Sequence, residues 1–164
     1  MREIELTQGQ VALVDNDTFE YLNKFKWLAD KIGRTWYAKR YEYNEGKRKT
    51  IYMHRYIISL KQELSKEILV DHKDGDALNN LSENLRVCNK QQNQHNQKSH
   101  INSTSKYKGV SFDKSRNKWR VNICFNYKVK GVGRFETEIE AAQAYNMVAK
   151  ELHGEFANIN IICL

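Results

Sequence analysis

Residues 68–97 contain two short apolar runs, a polar loop between them and a helix-forming segment after them. The first run ends at Asp71 and His72, and the second, residues 85–88, follows a loop rich in Asp, Gly and Asn. Apolar runs of this length that are bounded by turn residues predict two short strands. Asn89 is placed to cap the helix that follows. The segment is therefore predicted as a strand, a loop, a strand and a helix, with the Asp-His pair at a strand end.

Four polar side chains of this segment are of the types that phosphodiester hydrolysis needs. His72 can take a proton from water, since the unperturbed pKa of imidazole lies near 6.5. Asp71 supplies an anionic oxygen and Asn93 a neutral one, a pair of ligands that suits Mg²⁺, or Mn²⁺, better than zinc. Asn84 can orient the His72 ring with its amide or by pinning the loop backbone. We interpret the set as a site where one base and one divalent metal act on a phosphodiester.

These residues resemble the HNH nuclease family, in the form whose last His is replaced by Asn. The match covers about residues 50–97 and runs through Met53-His54-Arg55, Asp71-His72, Asp74-Gly75, Asn79-Asn80, Glu83-Asn84-Leu85-Arg86 and Gln92-Asn93. The resemblance implies a ββα-metal nuclease core. It implies that His72 is the general base and that Asn84 orients it. It also implies that Asp71 and Asn93 bind the metal, as in phage- and intron-encoded homing endonucleases that cut double-stranded DNA.

Several residues of the segment have a plainer interpretation. Asp74-Gly75-Asp76 is expected to be an ordinary turn, and an EF-hand fails because its first ligand would be Val70. His54 could contact a phosphate or have a structural role, and the structural role is slightly favoured. Two roles are equally expected for Arg86: a contact with the scissile phosphate, or a solvent-exposed position on a strand.

A strongly basic stretch follows the proposed catalytic segment. The formal net charge of the chain is +7, and residues 97–134 hold ten Lys and Arg against Asp113 alone. Three runs, 107–112, 118–123 and 128–135, predict antiparallel strands. Thr137 and Glu140 form a capping box for a helix that Gly154 ends. We expect a three-stranded sheet packed on one helix, with a cationic face left uncovered.

This stretch resembles the plant ethylene-response-factor type of DNA-binding domain, which lays its sheet in the major groove. The matching residues are Tyr107-Lys108-Gly109-Val110, Lys118-Trp119, Gly133-Arg134-Phe135, Glu140-Ala141-Ala142, Ala144-Tyr145, Gly154 and Asn158-Ile159-Asn160. Ser111, Asp113 and Ser115 depart from the plant pattern, so the plant recognition sequence is not carried over. Strand alternation turns Trp119 and Val121 to the helix and their neighbours to DNA. The expected DNA contacts are Lys108, Ser111, Arg116, Lys118, Arg120, Asn122, Lys130 and Arg134, together with Arg86 of the nuclease segment.

The N-terminal part is rich in Tyr, Trp, Ile and Thr and predicts β-hairpins. Residues 4–6 and 11–14 indicate strands, and Asp15 or Asp17 can cap a short helix whose apolar stripe reaches Phe25 and Trp27. A hairpin is expected around Asn44-Glu45-Gly46, and a helix over residues 55–64. The basic residues of this hairpin region are candidates for a third DNA-contacting surface: Arg34, Lys39, Arg40, Lys47, Arg48 and Lys49.

The chain is thus predicted to be α+β, with a nuclease region over residues 1–97, a polar linker over 98–106 and a DNA-binding domain over 107–160. It has no apolar run of about 18 residues that could span a bilayer. It also lacks a signal-peptide pattern, so a cytoplasmic location, that of the host if phage-encoded, is expected. Its three Cys lie too far apart for a zinc site.

We expect a metal-dependent DNA endonuclease of the homing type. A monomer that nicks one strand is favoured, with a dimer left open. The alternatives are a catalytically silent DNA-binding regulator, which the complete set of polar residues argues against, and an RNA-directed nuclease, which would use the 2′-OH.

Overall fold

The computed structural model of the protein describes residues 1–65, 67–95 and 103–162. The chain divides into two compact units, Met1–Asn89 and Lys90–Leu164. Both combine small antiparallel sheets with helices, which confirms the predicted α+β class. Residues 98–102 of the expected linker lie outside the described residues, so the bounds of the linker stay a prediction. Among the described residues no helix is long and apolar enough to cross a membrane.

The first unit is built from short antiparallel sheets. Its strands are β1 (Arg2–Glu5), β2 (Val11–Val14), β3 (Leu28–Ile32), β4 (Thr35–Asn44), β5 (Lys47–Tyr52), β6 (Leu69–His72) and β7 (Leu85–Cys88), and its helices are α1 (Asn16–Leu22) and α2 (Met53–Ser59). Strand β1 pairs with β2, β6 pairs with β7, and β3, β4 and β5 form a three-stranded sheet. Glu45 and Gly46 both have positive φ at the β4–β5 turn, as the sequence predicts for this hairpin.

The region after α1 differs from the sequence-based prediction. Helix α1 ends at Leu22, so Phe25 and Trp27 do not continue its apolar stripe. The buried Trp27 ring instead donates its indole N–H to the Leu22 carbonyl over 2.8 Å, which satisfies one open carbonyl of the last turn. The chain then enters β3, a strand that the sequence analysis did not predict. Helix α2 is also shorter than predicted, since it ends at Ser59.

Two basic residues of the β4–β5 region form contacts within the protein. Arg40 is buried, and its guanidinium lies 4.1 Å from the ring centroid of Phe25 and 5.2 Å from that of Tyr56. Lys39 forms an ion pair with Asp30 at 2.7 Å. Arg40 therefore stabilises the core through cation–π contacts and is not available for the DNA surface that we expected on this hairpin.

Strand β2 is joined to the long loop between β6 and β7. The Leu13 N–H donates to the Leu78 carbonyl over 2.9 Å, and the Asn80 N–H donates to the Leu13 carbonyl over 2.8 Å. These bonds form a parallel bridge between Leu13 and Asn79. The N-terminal hairpin thereby fixes the backbone of a loop that lies far away in sequence.

The second unit contains one three-stranded sheet and its helix. Its elements are α3 (Lys90–His95), β8 (Val110–Asp113), β9 (Lys118–Phe125), β10 (Lys128–Phe135) and α4 (Glu138–His153). The sheet order is β10-β9-β8, all antiparallel. Thr137 and Glu140 form the predicted capping box of α4. Val121, Ile123 and Tyr145 are buried between this sheet and this helix, which confirms the predicted packing.

Gly109 lies where the chain enters the sheet, and both its conformation and its surroundings require glycine. Its φ is +75°, a value that L side chains rarely adopt. A Cβ atom at this position would lie 2.3 Å from the Tyr145 ring and 2.7 Å from the Asn122 carbonyl oxygen. The close approach of the β8 entry to α4 thus depends on a missing side chain.

We expect Gly109→Ala to destabilise the second unit by roughly 2–4 kcal/mol, the sum of backbone strain and a clash in a packed core. Amide hydrogen exchange at Val121 and Ile123 measures this loss. Gly154→Ala is the matched control, because Gly154 lies in the same unit and has a φ of +55°, but nothing lies within 4 Å of the added Cβ. Equal protection of the β9 amides in the parent and in Gly109→Ala would contradict the argument.

Candidate active site

The candidate site lies at the closed end of the β6–β7 hairpin. Asp71 pairs across the ladder with Arg86, and His72 pairs with Leu85. Residues 73–84 connect the two strands as a long loop. The predicted strands are thus confirmed in position, and β7 has the predicted bounds, Leu85–Cys88.

Asn84 and Asp74 hold the loop closed. The Asn84 amide nitrogen donates to Asp74 Oδ1 over 2.9 Å and to the Asn79 carbonyl over 2.8 Å. Its amide oxygen accepts from the Asp74 N–H over 3.1 Å. The described hydrogen bonds of the Asn84 side chain all go to the loop, so Asn84 fixes the backbone that follows His72.

Asp74 is the acceptor at the centre of this loop. Besides the bond from Asn84, its carboxylate accepts from the Asp76 N–H over 2.8 Å and from the Asn79 amide over 2.7 Å. Burial alone would raise the pKa of Asp74, but the hydrogen bonds from Asp76, Asn84 and Asn79 outweigh it and lower the pKa. The residues that we predicted to form a turn do so, around an ionised carboxylate.

His72 is buried, and its Nε2 lies 3.4 Å from Asn80 Oδ1. The Asn80 amide nitrogen donates to the Leu78 carbonyl over 3.0 Å, which directs the amide oxygen to the ring. Burial lowers the pKa of His72, although the hydrogen bond to Asn80 and the nearby Asp74 charge oppose this shift. The imidazole is therefore neutral at neutral pH, the state that a general base requires.

His54, at the start of α2, packs against His72. The centroids of the His54 and His72 rings are 5.0 Å apart in an edge-to-face arrangement. The Tyr52 ring stacks on the His54 ring, with 5.7 Å between their centroids. His54 is buried, and its Nδ1 has no hydrogen-bond partner among the described residues. Burial, with smaller effects of His72 and Arg55, lowers the pKa of His54 to about 3. The candidate base therefore faces a second neutral imidazole.

Asp71 is held by Arg86. Nε and Nη2 of Arg86 lie 3.0 and 2.8 Å from Asp71 Oδ2, and both side chains are only 9% exposed. Arg86, which we expected to reach DNA, thus contacts the carboxylate opposite it in the ladder. The pair neutralises a charge that would be costly to bury alone.

The donor chemistry of Asp71 and Asn93 fits a hard divalent cation, since a carboxylate oxygen and an amide oxygen are typical ligands of Mg²⁺. Within the part of the chain that the structure describes, no cluster of three or more His, Cys, Asp or Glu side chains could hold a metal. Water and phosphate oxygens would have to complete the coordination, as is common for Mg²⁺. Asn93 lies on α3 in the second unit, and its partnership with Asp71 stays a prediction.

The sheet of the second unit presents the expected polar face. The register aligns Ser111, Arg120 and Arg134 in one row across the three strands, on the side opposite Val121. Lys130 is different, because it pairs with the buried Ile123. The pairing is irregular between Gly131 and Gly133, and one inserted residue reverses the alternation of β10. The structure therefore does not bring Lys130 to the face of Arg120.

Other predicted contact residues of this unit have partners within the protein. Lys118 pairs with Glu136 at 2.7 Å, and Arg116 lies 3.5 Å from Asp113. Lys108 is half-buried, and burial lowers its pKa to about 8. Asn122 is half-buried on β9, and Arg120 is exposed. The face is thus a network of charges and not a set of independent cations.

Family models match both parts of the chain. Residues 52–95 match the model described as HNH endonuclease, and residues 105–155 match the model described as AP2 domain. A protein of Acanthamoeba polyphaga mimivirus, described as uncharacterized HNH endonuclease L560, is 33% identical over 157 residues, which cover 94% of this chain and 77% of the relative. The chain therefore belongs to the HNH endonuclease family, and it carries an AP2 domain.

A second relative is Protein 3.8 of Escherichia phage T7. It is 33% identical over 94 residues, which cover 57% of this chain and 77% of the phage protein. Family membership identifies the chain as a nuclease, and the AP2 domain implies DNA as its partner.

Two residues near His72 carry more of the site than the sequence analysis assigned to them. Asn80 is fully buried and contacts the ring, yet the Asn79-Asn80 pair reads as a turn. The sequence offered a structural role for His54, and the structure specifies it as a contact with His72.

We expect Asn84→Ala to lower the free energy of unfolding by roughly 1–3 kcal/mol, because buried loop groups lose their partners. Urea unfolding measures this change. Asn23→Ala, at an exposed residue of the same unit with no described side-chain bond, is the control and should cost about 0.5 kcal/mol or less. Similar losses in both variants would refute the role of Asn84 in closing the loop.

We also expect stability to fall as the pH drops from about 6.5 toward 3, because the unfolded chain protonates His54 while burial keeps the folded imidazole neutral. The slope contributed by this residue approaches about 1.4 kcal/mol per pH unit. Urea midpoints at pH 7, 6 and 5 should fall less steeply in His54→Phe, which keeps a ring but cannot titrate. Parallel slopes in the two proteins would show that His54 protonates without penalty.

Proposed function

We propose that the protein is a metal-dependent endonuclease that hydrolyses phosphodiester bonds in double-stranded DNA, with His72 as the general base. The observation that carries the proposal is a buried, neutral imidazole at the end of β6, hydrogen-bonded to Asn80 and adjacent in sequence to Asp71. The family supplies the nuclease class, and the polar face of the AP2 domain favours duplex DNA as substrate.

The contact with Asn80 also selects the reactive ring nitrogen. The amide oxygen of Asn80 can only accept, so the hydrogen bond assigns the ring proton of His72 to Nε2. The lone pair is then on Nδ1, and this nitrogen is the one that we propose to take the proton from the attacking water. Asn84 contributes by holding the loop that begins directly after His72.

Asp71 and Asn93 are the residues that we propose to hold the metal, with Mg²⁺ the best match to two oxygen donors and Mn²⁺ a substitute. The bound ion would supply charge stabilisation at the phosphate and at the leaving oxygen. Arg86 orients the Asp71 carboxylate through the hydrogen bonds that its Nε and Nη2 donate to Oδ2. Its proposed contact with the scissile phosphate would require the guanidinium to leave or share this carboxylate.

The AP2 domain is proposed to add affinity and site recognition to the cutting module. A tethered second module raises the effective concentration of the first one at its target. One catalytic segment per chain favours a monomer that nicks one strand, and the resemblance to phage and intron enzymes supports a homing role. A phage-encoded enzyme of this kind would act in the cytoplasm of its host.

We expect His72→Ala to lose about 10²- to 10⁴-fold in cleavage rate while duplex affinity stays unchanged, since the base acts on water and not on the DNA backbone. Cleavage of a supercoiled plasmid library carrying source-genome DNA gives the rate. Mobility shift in EDTA gives the affinity, which should fall linearly with salt on logarithmic axes. Undiminished cleavage by His72→Ala would rule out the assigned base.

The same plasmid assay tests the metal and the strand outcome. Cleavage should require Mg²⁺ and stop with EDTA, and nicked circles should precede any linear product. Tight, salt-sensitive binding without cleavage under any metal would instead indicate a silent DNA-binding regulator. Preference for single-stranded RNA over duplex DNA in a competition assay would indicate an RNA-directed enzyme.

A further inference from the structure

Asp113 lies at the end of β8. Its carboxylate accepts hydrogen bonds from residues of the turn that follows β8 and from Arg134 of β10. Its Oδ1 accepts from the Ser115 hydroxyl over 2.7 Å. Its Oδ2 accepts from Arg134 Nε over 3.1 Å and lies 3.5 Å from Arg116 Nη1. The Asp113 side chain is 12% exposed, and the Arg116 N–H donates to its backbone carbonyl. The carboxylate is therefore held in place by residues of the turn that directly follows it, Ser115 and Arg116.

The bond from Arg134 reaches across the whole sheet. Arg134 belongs to β10 and Asp113 to β8, and the central strand β9 lies between them. The side chain of Arg134 is consequently laid over β9, on the face that also carries Arg120 and Ser111. Such a position needs a specific partner, because an arginine otherwise keeps much of its rotamer freedom.

The bond to Asp113 uses only one of the three nitrogens of the guanidinium. Within the described part of the chain, the only partner of Arg134 is Asp113, and it is reached through Nε. The described hydrogen bonds of Arg134 do not use its two terminal nitrogens, Nη1 and Nη2, and the side chain is 40% exposed. A fixed fork with both terminal nitrogens unused is the shape that matches two adjacent acceptors.

We propose that Asp113 is a positioning residue that presents the Nη1–Nη2 edge of Arg134 to the O6 and N7 atoms of one guanine in the major groove. This inference rests on the proposed binding of duplex DNA by the sheet face. It adds which residue pair reads a base and which base it reads. Guanine is the base that offers two neighbouring acceptors to arginine there.

The neighbouring carboxylate argues for a base and against a backbone phosphate as the target. Asp113 is ionised, because the hydrogen bonds from Ser115 and Arg134 hold its pKa well below the ordinary range. A carboxylate about 3 Å from the guanidinium repels phosphates and lowers the net positive charge of the pair. An arginine that only bound DNA phosphates would bind more tightly without Asp113 beside it. An arginine that recognises one base instead gains a fixed orientation from Asp113, and the negative charge disfavours binding in the wrong register.

The face offers a matched control for the charge of Asp113. Glu136 is ion-paired with Lys118 and is 71% exposed, and its removal deletes the same single negative charge from this sheet. Its partner is a lysine, which has no planar fork to orient. Any effect common to Asp113→Ala and Glu136→Ala is therefore an effect of charge alone.

The experiment is selection of bound sequences from a random duplex pool by the full chain in EDTA, with affinities measured over a salt series. The parent should enrich guanine at one position. Asp113→Ala and Arg134→Lys should both lose roughly 5- to 150-fold of that preference, at that same position only. Glu136→Ala should keep the preference, and both acid deletions should bind random duplex at least as tightly as the parent.

Different results point to different failures. If Asp113→Ala and Arg134→Lys both keep the parental preference at every position, the positioning role is wrong. If Asp113→Ala and Glu136→Ala only raise affinity on all sequences alike, Arg134 contacts phosphate and Asp113 merely weakens it. If the parent binds no duplex, the proposed function of the AP2 face fails and this inference fails with it. Should Asp113→Ala not fold, Arg134→Lys still decides the matter, since it leaves the acid and its turn in place.

Discussion

The carboxylate of Asp74 organises the loop on which the candidate active site depends. Loops of this length need partners for many backbone groups, and water usually supplies them. Here Asp74 accepts from Asp76, Asn79 and Asn84, so the loop is bonded to itself. His72 immediately precedes this loop, so the hydrogen bonds of the loop also restrict the backbone next to His72. A side chain that is held in this way needs little reorganisation to act as the base that we propose, which is what a preorganised site requires.

The surroundings of His72 combine one ionised pair with two neutral rings. Asp71 and Arg86 cancel each other in a nearly buried position, while burial keeps His72 and His54 uncharged. These four groups together therefore contribute little net charge, and the ionised Asp74 is a source of negative charge beside them. The carboxylate that we propose as a metal ligand, Asp71, is thus already shared with Arg86 in the structure.

Much of this architecture follows from the sequence, and the exceptions have physical reasons. Strand β7 and the capping box of α4 were predictable, because a short apolar run bounded by turn residues and a capping motif are both local signals. Strand β3 was missed, because Trp27 is placed by tertiary packing and not by helical periodicity. Asn80 was missed because nothing local tells a turn residue from one that points inward. Lys130 was assigned to the wrong side of the sheet, since a bulge reverses alternation without changing composition.

The bridge between β2 and the β6–β7 loop bears on how such a nuclease can be inherited. The stretch that matches the family model begins at residue 52, yet the backbone of Leu78 and Asn80 is hydrogen-bonded to Leu13. The smallest portion of the gene that could be transplanted with a formed loop thus extends back to the N-terminal hairpin. Recombination that kept the motif but exchanged that hairpin would have to preserve one strand's backbone geometry, while leaving its outward side chains free to diverge.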